Sequence, residues 1–286
     1  MIRREQVVWF AWLPRWTALA PLAVYAAGFG ALCAGTHFLG EDSTWVWQLI
    51  LATLYIIIPG YLMLIAGQPI TRALGITDES WQQAIGVGAV LGILLGGAQL
   101  YRHVSAGQML IVPELNLSLL SLVLSIALIV AGDEVLLRGG FSAVLEPAIG
   151  FVPTLVLSAL AYTLLPLAMG ANGQGPQSSP YLPAGYMPPF GSGFLLLFIV
   201  GLFLFGIYRL TGSLWASATA NFIARFALAF AWAPAAVTES LSTLNLAIAA
   251  ALWIVAILGL RRWMTQADAR HQGPAAGSAC ARFPKS

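Results

Sequence analysis

Charge is what this chain has least of. Only 8% of its residues are Asp, Glu, Lys or Arg, against about a quarter in ordinary soluble domains. Hydrophobic residues make up 59% and the mean hydropathy is +0.83. These values exclude a soluble globular domain and indicate a polytopic membrane protein. Lysine is nearly missing, with Lys285 alone beside the arginines. The arginines are scattered, so the formal net charge of +2 forms no basic stripe. Nucleic acid is thereby excluded as a partner. The two cysteines, Cys33 and Cys280, lie in an apolar segment and a polar tail. Neither reads as a disulfide partner or a zinc ligand. The histidines, His37, His103 and His271, form no pair at helical spacing, so no metal site is expected. No cofactor is expected either.

Long apolar runs are abundant. Stretches near the ~20 residues a bilayer core requires fall at about 17–38, 45–66, 82–100, 115–137, 150–170, 194–210, 212–232 and 244–262. The pattern predicts an all-α bundle of about eight transmembrane helices over residues 17–263, in contact with membrane lipids. The border between the sixth and seventh spans is open, because only Thr211-Gly212 divides them. Segment 1–16 carries Arg3, Arg4 and Arg15 with no small-residue cleavage site after it, which suggests an interfacial segment and a retained first span. Residues 171–193 form a Gly/Pro/Ser-rich outer loop without charge, and 266–286 a polar, disordered tail. With the N-terminus inside, the inner side holds most of the arginines, including Arg72, Arg209, Arg261 and Arg262. The outer side holds Glu41, Asp42, Arg102, Glu114 and Glu239. The positive-inside rule then puts both termini in the cytoplasm of a bacterial-type inner membrane. Gly88, Gly92 and Gly96 repeat on one helix face, a spacing that favours close packing within the bundle over a dimer contact.

Against this background Asp133-Glu134-Val135-Leu136-Leu137-Arg138 stands out. An ionisable group at the centre of a membrane helix costs roughly 2.5–3.5 kcal/mol on insertion scales. Three together have a use, or else they mark a polar helix end that snorkels to water. Glu134 and Arg138 have the spacing and order of an intrahelical ion pair. Asp133 points about 100° away, a candidate proton acceptor.

These residues resemble Glu-Glu-x-x-x-Arg, the first motif of the CPBP family, the CAAX proteases and bacteriocin-processing enzymes. Two further runs resemble the same family. Gly206-Ile-Tyr208-Arg209-Leu-Thr-Gly212-Ser213-Leu214-Trp215-Ala216 is similar to its Tyr-x-x-Thr-Gly-Ser-Leu-Trp-Ala segment. Ser158 to Pro166 sits where the family has Ser-x-x-x-Phe-x-x-x-His. The resemblance covers about residues 80–265. It implies an eight-helix glutamic-type intramembrane protease, in which the first Glu activates a water and two His and an Asn position it and the scissile carbonyl.

Carried onto this chain, the chemical positions differ. The first Glu falls on Asp133, the second-motif His on Pro166, the third-motif His on Asn221 and the Asn on Arg225. Glu134 and Arg138 match the partner acid and the Arg. Asp133 is one methylene shorter, ~1.5 Å, and misplacement by about 1 Å can cost ~100-fold in rate. Asn221 can donate a hydrogen bond but cannot take a proton, and Pro166 offers no side-chain hydrogen bond. Pro166 also removes a backbone donor and is expected to kink its helix. Arg225 brings a permanent cation that would hold a nearby Asp133 ionised and make it a poorer base. Tyr162, at the aromatic of the second motif, is expected to pack in the chamber. Asp133, Glu134, Arg138 and Arg225 balance in charge, which suggests an ion-pair lock between the fourth and seventh spans.

The expected function is that of a CPBP-like protein with lost or weakened peptidase activity, binding a membrane-anchored peptide or partner protein. The alternative is an active endopeptidase using Asp133 and Asn221. A transporter or channel is a weaker third reading, because the first, second, sixth and eighth spans carry few polar residues.

Overall fold

The computed structural model describes residues 18–39, 41–65, 71, 74–76, 81–105, 117–170, 192–230, 248 and 250–258. Segments 1–16, 171–191 and 266–286, named above as an interfacial segment, an outer loop and a tail, lie outside the described residues. Among the described residues every regular element is helical: α1 (Ala20–Leu39), α2 (Glu41–Ile65), α3 (Trp81–Ser105), α4 (Leu117–Glu134), a π-helical segment π1 (Val135–Leu145), α5 (Glu146–Ile149), α6 (Phe151–Gly170), α7 (Ser192–Thr211) and α8 (Leu214–Phe230). Among the described residues three apolar helical stretches are long enough to cross a membrane: Val46–Leu64, Trp81–Ala98 and Leu119–Ile149. Ala20–Ala34, Phe151–Leu164 and Leu197–Thr211 are shorter apolar helices. The chain is an all-α bundle of membrane type.

Most expected spans coincide with a helix to within a few residues. The fourth does not. The helical run expected to end at 137 continues through π1 and α5 to Ile149. The charged stretch therefore sits inside the run: Asp133 is 14 residues from Leu119 (133 − 119) and 16 from Ile149 (149 − 133). The idea of a snorkelling helix end is overturned, because Arg138 is 0% exposed and Asp133 2%.

A π-helix of 11 residues is long, since most are single turns, often at functional sites. Its sequence explains part of it. Gly139-Gly140 lowers the preference for the α form. Gly139 also lets π1 lie against Leu74 and Met63, where a Cβ would collide with the Leu74 side chain. Helix α6 runs through Pro166 as one continuous element.

The border left open between the sixth and seventh spans falls at Gly212-Ser213. Gly212 has φ +66° and ends α7, its N–H donating to the Tyr208 carbonyl at 2.8 Å. Left-handed backbone at a helix end is glycine's usual place.

The packing of α3 on α8 follows from the glycine stripe. A Cβ on Gly92 would stand 2.8 Å from Ile223 Cβ and 3.0 Å from Ala220 Cα, and one on Gly96 2.8 Å from Ala227 Cβ. A Cβ on Gly88 would strike the Ala216 carbonyl. The stripe thus serves contact within the bundle. Elsewhere Gly132 of α4 meets the Ala52 backbone of α2, and Gly201 of α7 meets Ala159 of α6. Small residues do the close work here, as expected where burial from lipid gives no hydrophobic gain.

Substitution should separate the tight glycines from the open ones. Gly92→Ala is expected to lower stability by about 1–3 kcal/mol. Gly86→Ala and Gly97→Ala, where the new Cβ meets nothing within 4 Å, should leave it unchanged or raise it by up to about 1 kcal/mol. Thermal unfolding in detergent micelles measures the difference.

Candidate functional site

Three helical elements bring the charged residues together. Asp133 and Glu134 end α4 and Arg138 lies one turn into π1. Tyr162 comes from α6, and Asn221 and Arg225 from α8. All six are buried.

Their contacts close into a ring. Arg225 Nη2 donates to Asp133 Oδ2 at 2.5 Å, joining α8 to α4. Arg225 Nε donates to Asn221 Oδ1 at 3.1 Å. The Tyr162 hydroxyl donates to the same oxygen at 3.0 Å. Asn221 Nδ2 donates to Glu134 Oε1 at 2.8 Å. Arg138 Nη1 stands 3.4 Å from Glu134 Oε1. Both guanidinium groups lie over the Tyr162 ring, Arg138 at 5.1 Å and Arg225 at 5.4 Å from its centroid.

The ring holds two carboxylates and two guanidiniums, so it carries no net charge. Isolated buried charges cost many kcal/mol, and only pairing with hydrogen bonding makes them tolerable. Asn221 is the hub. Its amide accepts from Tyr162 and Arg225 and donates to Glu134, so both ends of the group are in use. Arg138 makes no hydrogen bond among the described residues. It is held by the Glu134 charge and by the Tyr162 face, a cation–π contact worth about 2 kcal/mol when desolvated.

Other contacts fix the elements that carry the ring. Ser158 Oγ donates to the Leu137 carbonyl at 3.0 Å, tying α6 to π1. The Tyr25 hydroxyl donates to the Ala161 carbonyl at 2.7 Å, tying α1 to the residue before Tyr162. Helix α8 is set by the Thr211–Trp215 run. Ser213 Oγ accepts from the Trp215 N–H at 3.3 Å, an N-cap, and donates to the Gly75 carbonyl at 3.2 Å. The Leu214 N–H donates to the Leu74 carbonyl at 3.0 Å, and Trp215 Nε1 to Ile76 O at 3.3 Å. Gly75, at φ +61°, leaves no room for a Cβ beside the Gly212 carbonyl. The 74–76 turn thus docks flush on the α7–α8 junction.

The structure brings Asp133, Glu134, Arg138, Asn221, Arg225 and Tyr162 into one cluster. Pro166 lies on α6 one turn beyond Tyr162, and its side chain is outside what the structure describes. The sequence reading understated Tyr162. It is more than packing, since its hydroxyl orients Asn221 and its ring receives both cations. A tyrosine one turn before a motif position, opposite two arginines, was the available signal.

A double-mutant cycle tests the lock. Arg225→Ala should cost about 3–5 kcal/mol, because it leaves Asp133 buried and unpaired. Adding Asp133→Asn should recover part of that loss, and strictly additive losses would refute the coupling. Tyr162→Phe should cost about 1 kcal/mol, the worth of one hydrogen bond. Tyr162→Leu should cost more, since it also removes the ring under both guanidiniums. Chemical unfolding in mixed micelles reads these variants together with the Asp133→Asn single that closes the cycle.

No curated protein and no solved structure matched the chain. A family model did: that of the type II CAAX prenyl endopeptidases, Rce1-like, over residues 115–227. The matched stretch begins just before α4 and ends in α8, two residues past Arg225. The segment that supplies every member of the buried ring is thus the one similar to the Rce1-like family.

Proposed function

We propose that this chain is a CPBP-type membrane protein whose peptidase chemistry is lost or strongly weakened, and which acts by binding. Its partner would be a membrane-anchored peptide or protein, held against the chamber between α4, α6 and α8. The observation that carries this reading is the contact of Arg225 with Asp133 at 2.5 Å. A general base must be free to take a proton from water within hydrogen-bond reach. Asp133 is engaged by a guanidinium, and Glu134 by Asn221 and Arg138. Neither Pro166 nor Asn221 can relay a proton as an imidazole does. The arginine-rich loops support a bacterial-type cytoplasmic membrane with both termini inside.

A second reading, an active intramembrane endopeptidase, is favoured by one observation. Both carboxylates are kept side by side in a buried site, where they cost energy to hold.

One experiment separates the two. Liposomes carrying the protein are offered a library of lipidated and transmembrane peptides, with wild type and Asp133→Ala run in parallel. The binding reading expects retention of peptide without cleavage in both. Cleavage by the wild type that Asp133→Ala abolishes would establish the endopeptidase instead.

A further inference from the structure

Arg138 is 0% exposed, yet none of its three side-chain nitrogens meets an acceptor among the described residues. Glu134 Oε2, on the neighbouring carboxylate, is buried and unpartnered as well. A buried donor or acceptor left unmade costs about 1–3 kcal/mol, and more when charged. Ordered water is the common partner of such groups.

The same unmet chemistry continues along the run. Ser142 Oγ and Glu146 Oε2 are also buried atoms without a hydrogen bond. Glu134, Arg138, Ser142 and Glu146 follow one another at four-residue steps. Four residues is close to one turn of the α form, with about 3.6, and of the wider π form, whose bonds close i→i+5. The four positions therefore form a column. Both ends of it meet the same flank of the bundle. Arg138 lies over Tyr162 of α6. Arg209 Nη2 of α7 donates to Glu146 Oε1 at 2.9 Å, and its guanidinium lies over Phe151 of α6 at 5.3 Å.

Helix α6 carries a facing column. Tyr162, Ser158 and Thr154 are four apart and buried, although most of α6 is apolar. Ser158 Oγ and Thr154 Oγ1 donate to the Leu137 and Gly150 carbonyls. Those bonds are the polar glue common between membrane helices. Glue does not account for the unpartnered atoms opposite them. Burial loosens along the seam, from Arg138 at 0% through a half-buried Ser142 to side chains 17% exposed at Glu146 and 30% at Arg209.

We propose that the seam between π1 and α6 is hydrated, and that water reaches the buried ring along it from the Glu146–Arg209 pair. The water supplies acceptors to Arg138 and donors to Glu134 Oε2, Ser142 and Glu146. The proposal rests on neither reading of function. An endopeptidase needs water in the chamber as a reactant, and a binding chamber needs it to keep Glu134 and Arg138 charged.

Silver-ion accessibility tests it on the full chain in detergent micelles. The ion is close to water in size, travels where water does and binds thiols. Single cysteines are placed in a Cys33→Ala, Cys280→Ser background, and the thiol left after a timed exposure is titrated in the unfolded protein. Ala161→Cys is the control, at the same depth on α6 and within the apolar core. Ser158→Cys and Thr154→Cys are expected to react at least several-fold faster than Ala161→Cys. Adding Ser142→Leu, which plugs the column, should return Ser158→Cys to the control rate. Ser158→Cys reacting no faster than Ala161→Cys means a seam dry at the ring and overturns the proposal. Fast reaction of Ser158→Cys that Ser142→Leu leaves undiminished overturns the route through Ser142. If Ser158→Cys does not fold, Thr154→Cys against Ala161→Cys decides, and equal rates there overturn the proposal too.

Discussion

Everything at the centre of this bundle depends on burying carboxylates in the membrane-spanning part of a protein. Asp133 and Glu134 are adjacent in sequence and buried, and neither could stay charged there alone. Their neutralisation needs cations from two directions. Arg138 comes from the same helical run, and Arg225 crosses from α8. The pairing of α4 with α8 is therefore electrostatic as well as steric. It constrains the rotation of α8, because Asn221 and Arg225, one turn apart, must both face inward.

That rotation is prepared outside the charged cluster. Ser213 caps α8, and the backbone of residues 74–76 receives three hydrogen bonds from Ser213, Leu214 and Trp215. Two glycines with positive φ, Gly75 and Gly212, allow the close fit. On the opposite flank the glycine stripe of α3 admits α8 to backbone distance. Helix α8 is thus gripped at its start and along one side before its polar face meets Asp133 and Glu134. The ring adds little net stability by itself, since desolvation offsets much of the Coulombic gain. Its larger effect is to make one arrangement of α4, α6 and α8 far better than its neighbours.

Hydropathy made the helices legible, because a bilayer demands about 20 apolar residues per crossing. Charge balance made the Asp133–Arg225 pair legible, since four unlike charges in an apolar chain have few other ways to be buried. The length of the fourth span was not legible. Asp133 to Arg138 looks like an end only if charge is assumed to stop a helix, and here partners on α8 let the helix continue. Nor was the π form of Val135–Leu145 legible. Gly139-Gly140 weakens the α form without selecting π, and its close neighbours Leu74, Met63 and Pro59 come from distant segments. The part of Tyr162 was half legible: its place in the motif gave its location, but its hydroxyl contact depends on where Asn221 lands.

The docking of the 74–76 turn on the α7–α8 junction has a consequence for kinship. Thr211 to Trp215, part of the run that resembles the family, form a joint. None of them is titratable. Substitution in the chamber leaves that joint undisturbed, and a change in the joint would reach the chamber only through the tilt of α8. The joint and the chamber are therefore built largely on different residues of the same matched segment. The chamber can thus be altered residue by residue without loosening the seat of α8.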